Sequence, residues 1–225
     1  MLAHVIDPDS AVPPYEQVAK MMRDEIAQGT MVGRIPSVHT IAEPDLRAPS
    51  LLPGWTRAHV LAHLSRSADA MRNLLIGARS GQDRPAYASA ERRQAGIEHG
   101  AGLRPDELVA DLAASAMAWR TVARQVPDEA WQVPVRVLDS APFPAAELLT
   151  RRLVEVELHH CDLGARYTPA DWPAAFAAME LAEPMCSQRQ DRLSSTRTAP
   201  PLAPVRPPAP YRPGQRLPGS ILGRR

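Results

Sequence analysis

The segment AAELLTRRLVEVELHHCDLG, residues 145–164, decides how the chain is read. It belongs to a helix predicted to run from about Pro144, and Gly164 closes it as a natural C-cap. On that helix Glu155 and His159 stand four residues apart, so both side chains leave the same face and can share one metal ion. A second pair with the same spacing, His59 and His63, lies far upstream, and either histidine could complete the site from across a bundle. His63 is one turn deeper and flanks Leu64, whereas His59 reads as a surface or capping residue. Two imidazoles and one carboxylate make a three-ligand set with an open position, the arrangement of catalytic zinc. Glu157 and His160 fall on neighbouring faces as solvated or supporting groups, and Cys161 reads as a small buried residue with no base beside it.

Working outward, three more helical patterns appear between proline and glycine punctuation. The first follows Thr56 as N-cap through RAHVLAHLSRSADAMRNLLIGA, with Val60, Leu61, Leu64, Ala68, Met71, Leu74 and Leu75 on its apolar side. A weaker one spans about Ser89–His99. The third opens with Pro105, carries Asp106 and Glu107 at the positive end of its dipole, and continues through LVADLAASAMAWRTVARQV. A PDEAW turn and the β-prone VPVRVL precede the fourth helix, and a last helix is predicted over about Asp171–Leu181. This predicts an all-α four-helix bundle over residues 45–183. Residues 1–44 form a shorter helical segment: Pro14–Gln28 places Val18, Met21, Met22 and Ile26 on one face, and Ser37 caps a short helix that Pro44 stops.

Composition narrows the class. The chain has 225 residues, 44% of them apolar and 23% charged, which suits one ordinary domain or one and a half. A net charge of +1 gives no support to a basic nucleic-acid binder. The total hides a split, with 18 basic and 24 acidic residues up to Glu183 against 8 basic and 1 acidic beyond it. Residues 184–225 also hold nine of the 24 prolines and no apolar period, so they read as a disordered Pro/Arg-rich tail. Only Cys161 and Cys186 are present and no signal peptide or membrane span is readable, so a reducing cytoplasm is expected. Gly-rich phosphate loops, Cys-x-x-Cys pairs and the Gly-x-Ser-x-Gly elbow are absent from the sequence.

Two resemblances add to this reading. PYEQVAKMMRDEIAQGT followed by Pro36-Ser37 resembles the start of a GntR-type winged helix-turn-helix over residues 13–43. The recognition helix and wing do not follow, so DNA is not an expected partner. DLRAPSLLPGWTRAHVLAHLSRSADAMRNLLIGARSG, PAYASAERRQAGIEHGAG and RRLVEVELHHCDLGARYTPADWP together resemble the mycothiol-dependent maleylpyruvate isomerase family, in the DinB-like metalloprotein superfamily, over residues 45–183.

That second resemblance implies a DinB-like four-helix bundle holding a divalent metal, usually zinc, on His63, Glu155 and His159. It implies mycothiol as the thiol cofactor and cis–trans isomerisation of a maleylpyruvate-like dicarboxylate. In that chemistry a metal-activated thiolate adds to the double bond, the resulting single bond rotates, and elimination gives the trans product. Arg93, in the family's S-x-x-x-R pattern counted from Ser89, is then the candidate for binding substrate or thiol. Gly96 stands where that family carries an aspartate, and the proline-rich tail does not resemble the family's smaller α/β C-terminal domain. The alternatives are a GntR-like regulator with the bundle as ligand sensor, or an inactive fusion.

Overall fold

A computed structural model describes residues 46–177, together with Lys20 and Met179. The predicted helix after Ser37, the Pro/Arg-rich tail and Cys186 lie outside these residues, as does all of the predicted helix over Pro14–Gln28 except Lys20, which is helical. Among the described residues four long helices occur: α1 Arg57–Ser80, α2 Ala90–Gly102, α3 Pro105–Ala123 and α4 Glu147–Asp162. A fifth, α5, is described over Ala174–Ala177.

Helix α1 is the hub, packing against α2, α3 and α4. Fifteen of its 24 residues are buried, more than one amphipathic stripe would supply, because neighbours cover it on several sides. Thr56 caps it in extended backbone, accepting from the His59 N–H, and Gly81 closes it in the left-handed conformation at φ 67°. Ser89 caps α2 by accepting from the Arg92 N–H. Pro105 opens α3, with Asp106 and Glu107 in its first turn.

Glycine sets the spacing of α1 and α2. A Cβ on Gly100 would sit 2.8 Å from the Ala62 Cβ, so the two backbones approach more closely than a pair of side chains allows.

Two differences from the sequence expectation have local causes. Helix α4 begins at Glu147 rather than Pro144 because Phe143–Pro144 forms β2, paired antiparallel with β1, Pro134–Val135. The pairing continues as the Ala145 and Ala146 N–H groups donate to the Val133 and Trp131 carbonyls at 3.0 and 2.9 Å, which holds the chain out of the helix for two more residues. Prolines at both Pro134 and Pro144 withhold donors, so the ladder stays this short. At the C-terminal end, Asp171 belongs to a 3-10 turn, Pro169–Asp171, and α5 begins only after Pro173.

The core has two parts. One gathers Trp119, Trp131, Phe143, Leu148, Leu149 and Phe176 around the β1–β2 end, and the other gathers Leu61, Leu64, Ile97, Leu108, Leu112 and Leu163. The start of α1 and the end of α4 are tied across the chain: Arg57 donates from Nε to the Leu163 carbonyl at 2.6 Å and from Nη2 to that of Gly164 at 2.9 Å. The Leu51 N–H donates to the Asp162 carbonyl at 2.8 Å beside them. No helix among the described residues is long and apolar enough to cross a membrane.

Candidate metal centre

The second turn of α1 faces the last two turns of α4, and this brings together three ligand-type side chains. One donor atom each from His63, Glu155 and His159 lies within 4.8 Å of the other two, a set able to hold one metal ion. His63 Nε2 stands 3.2 Å from Glu155 Oε1, and the His63 and His159 rings meet edge to face with centroids 4.7 Å apart. His63 is 7% exposed and Glu155 and His159 are partly buried, so the cluster is largely withdrawn from water.

The electrostatics favour a neutral His63 imidazole beside an ionised Glu155. Burial pulls the His63 pKa below its ordinary 6.5, against the hydrogen bond and charge of Glu155, which act the other way. Burial would push Glu155 up, but the His63 hydrogen bond and the charges of His63 and Arg152 hold its carboxyl down at about 2. These are the protonation states that metal ligation requires.

His159 is oriented from behind. Its Nδ1 lies 2.8 Å from Oδ2 of Asp162, itself 2% exposed, and a proton held there leaves Nε2 as the lone-pair nitrogen. Glu155 is gripped through its second oxygen: Oε2 accepts from Ser67 Oγ and, at 3.4 Å, from Arg152 Nη1.

The two histidines on α1 part company. His59 Nδ1 accepts from the Thr56 N–H at 3.2 Å, completing a capping box in which histidine takes the place usual for Glu or Gln. Its Nε2 lies 3.3 Å from Glu98 Oε2. It therefore serves the helix end, and His63 alone among the upstream pair enters the cluster.

Arg93 reaches the same corner from α2. Its Nη2 lies 3.3 Å from His63 Nδ1, and its guanidinium carbon lies 5.9 Å from the centroid of the Tyr87 ring. A cavity of about 170 Å³ opens beside it, walled by Arg66, Asp69, Asn73, Tyr87 and Arg92. A larger one of about 430 Å³ lies further along α1, between Gly77, Arg84 and Val135, and also touches Tyr87. Gly96 lets the Arg66 stem lie against α2: a Cβ there would be 3.3 Å from Arg66 Cδ. The guanidinium is then free to pair with Asp111 at 2.6 Å.

Of the other sequence candidates, His160 stacks on Tyr167 with ring centroids 3.7 Å apart, and burial lowers its pKa to about 4. Glu157 is buried and accepts from the Tyr167 hydroxyl, on the side of α4 turned to the following loop. Cys161 is buried. Sequence reasoning did not single out Ser67, Arg152 or Tyr87. The first two carried a signal: Ser67 is four residues past His63, and Arg152 is three before Glu155 on the same helix.

Comparison with known proteins gives the family and the fold. The sequence profile of the mycothiol maleylpyruvate isomerase N-terminal domain matches residues 37–164. The fold is similar to the crystal structure of a mycothiol-dependent maleylpyruvate isomerase, at 30% identity and a TM-score of 0.61 over 72% of this chain. A structure of a histidine-to-alanine mutant of a mycothiol-dependent maleylpyruvate isomerase matches at 29% identity with the same TM-score of 0.61 and the same 72% coverage. The chain spans 64% of the length of each of these solved chains. No curated protein matches it. Because the profile match takes in more than half of the chain, and within it all three clustered side chains, this protein belongs to the mycothiol maleylpyruvate isomerase N-terminal domain family.

Proposed function

We propose that this protein is a metal-dependent, mycothiol-dependent isomerase or thiol transferase acting on maleylpyruvate-like dicarboxylates in the cytoplasm. The observation that carries the reading is the cluster of His63, Glu155 and His159, which lies inside the matched family domain and joins α1 to α4. Its donors fit a divalent ion, zinc by preference: two imidazoles and one ionised carboxylate, with an aspartate behind one imidazole. When bound, such an ion supplies Lewis acidity that lowers the pKa of a thiol and turns it into a nucleophile at neutral pH.

The protein's own groups do the rest. Asp162 keeps the His159 proton on Nδ1, which aims Nε2 into the cluster. Arg93 puts a fixed positive charge beside the cluster, where a substrate carboxylate gains a charge-assisted hydrogen bond. The polar wall of the adjoining cavity, with Arg66, Asp69, Asn73 and Arg92, offers donors and acceptors of the kind that a sugar-bearing thiol such as mycothiol requires. Trp55, with its ring 5.6 Å from that of His63, shields one side of the ligands from water.

Elemental mass spectrometry tests the metal first, comparing the wild type with His63→Ala, Glu155→Ala and His159→Ala. Stoichiometric metal, lost in each folded variant, supports the site, and mycothiol-dependent conversion of maleylpyruvate by the loaded protein then tests the reaction. A folded wild type that takes up no divalent metal overturns the reading.

A further inference from the structure

The two oxygens of Glu155 are in different situations. Oε1 faces His63 Nε2 at 3.2 Å, on the side of the clustered histidine. Oε2 is occupied on the protein side, accepting from Ser67 Oγ on α1 and from Arg152 Nη1 one turn earlier on α4. The same Arg152 Nη1 donates at 3.0 Å to the Leu64 carbonyl, so one guanidinium spans α1 and α4 at the level of the metal ligands. Ser67 is 3% and Arg152 6% exposed, which places both donors away from competing water.

We infer that Ser67 and Arg152 are positioning residues that commit one oxygen of Glu155 to the protein, so that the carboxylate offers a metal only its other oxygen and a coordination position stays open. The inference rests on the metal-binding reading above and deepens it. A carboxylate can bind a cation through one oxygen or through both, and a free Glu155 would be able to take either mode. With only two other protein ligands, the second mode would fill a position that an incoming thiol needs.

Helix-to-helix tethering alone does not account for the arrangement. Arg152 would tie the helices through the Leu64 carbonyl without touching Glu155, and a buried guanidinium carries a desolvation cost that an apolar side chain of similar volume avoids. Ser67, uncharged, adds its own donor to the same oxygen. Arg152 also repels a cation in the cluster while it orients the ligand, so affinity alone mixes two opposite effects. The shape of the coordination sphere separates them.

The test uses the full chain loaded with cobalt(II), whose visible absorption weakens as coordination number rises, titrated with the small thiol 2-mercaptoethanol. The variants are Ser67→Ala and Arg152→Gln, with His63→Ala as a control that disrupts the cluster. The expected result is a several-fold weaker visible band in both variants, with the thiol dissociation constant raised about tenfold, the lower end of the effect of outer ligand partners. Wild-type spectra and thiol affinity in folded Ser67→Ala overturn the inference while the metal site stands; if Arg152→Gln does not fold, Ser67→Ala still decides. A wild type that binds no cobalt overturns the metal-binding reading itself, and the inference with it.

Discussion

Helices α1 and α4 each carry a pair of ligand-type side chains four residues apart, and only one pair acts as a pair. On α4, Glu155 and His159 belong to the same cluster. On α1, His63 joins them, but His59 is taken up one turn earlier by the Thr56 cap and by Glu98. The difference is one of position along the helix. A residue in the first turn lies among unsatisfied backbone N–H groups that draw polar side chains to them, whereas a residue one turn deeper has a satisfied backbone and can look across the bundle. Equal spacing thus nominates ligands, and the helix end removes one of the nominees.

The comparison can be broken most directly by exchanging the fates of the two histidines. His63→Ala is expected to weaken zinc binding by more than the roughly 10–100-fold that outer partners carry, whereas His59→Ala leaves it unchanged; competition with a chromophoric chelator measures both. Equal losses would show that His59 also serves the metal. Asp162→Asn comes next. It keeps the shape behind His159 but replaces a carboxylate by an amide, and zinc affinity should fall about 10–100-fold in the same assay.

Three smaller effects concern stability and leave the metal aside. Gly100→Ala drives a methyl into Ala62 and is expected to cost about 1–3 kcal/mol in urea unfolding, because α2 must move off α1. His59→Ala should cost about 0.5–1 kcal/mol, since Thr56 still caps the helix but its own N–H loses an acceptor. Smallest of all, Glu98→Gln should change stability by less than about 0.5 kcal/mol, as its side chain is 56% exposed. A larger effect there would mean that the Glu98 contact, not the cap, holds His59 out of the cluster.

The parts of the fold that could be read from the sequence are those with local punctuation. Thr56 and Pro105 mark the starts of α1 and α3, and Ser89 that of α2, because caps and N1 prolines act on the backbone next to them. The start of α4 was not legible. A proline at position 144 suits the first turn of a helix as well as a strand, and the choice is made by Pro134 and Trp131, which sequence does not place beside it. The start of α5 follows the same lesson, since the 3-10 turn at Pro169–Asp171 comes first and α5 begins only after Pro173.

The metal cluster divides in a similar way. Glu155 and His159 were legible from spacing on one helix, and His63 was favoured over His59 by its deeper position before the family resemblance named it. Asp162, three residues past His159, was within reach of the same spacing argument. Arg152, three residues before Glu155 on the same helix, was likewise within reach, whereas Ser67 was harder to find, because nothing in a single sequence says that the fourth residue after His63 meets the glutamate of another helix. Arg93 was named from a pattern, and its approach to His63 depends on how closely Gly100 lets α2 lie against α1.

The clasp between Arg57 and the carbonyls of Leu163 and Gly164 joins residues 106 and 107 positions apart. During synthesis α1 therefore leaves the ribosome with both of these partners, just past the end of α4, still untranslated, and it cannot be locked until nearly the whole bundle has emerged. The last event in folding should be the closing of this long loop, which also brings Glu155 and His159 to His63. Assembly of the three-residue cluster and completion of the fold then coincide in time, and a nascent chain stalled before Glu155 would present an unclosed bundle with only His63 of the three clustered side chains.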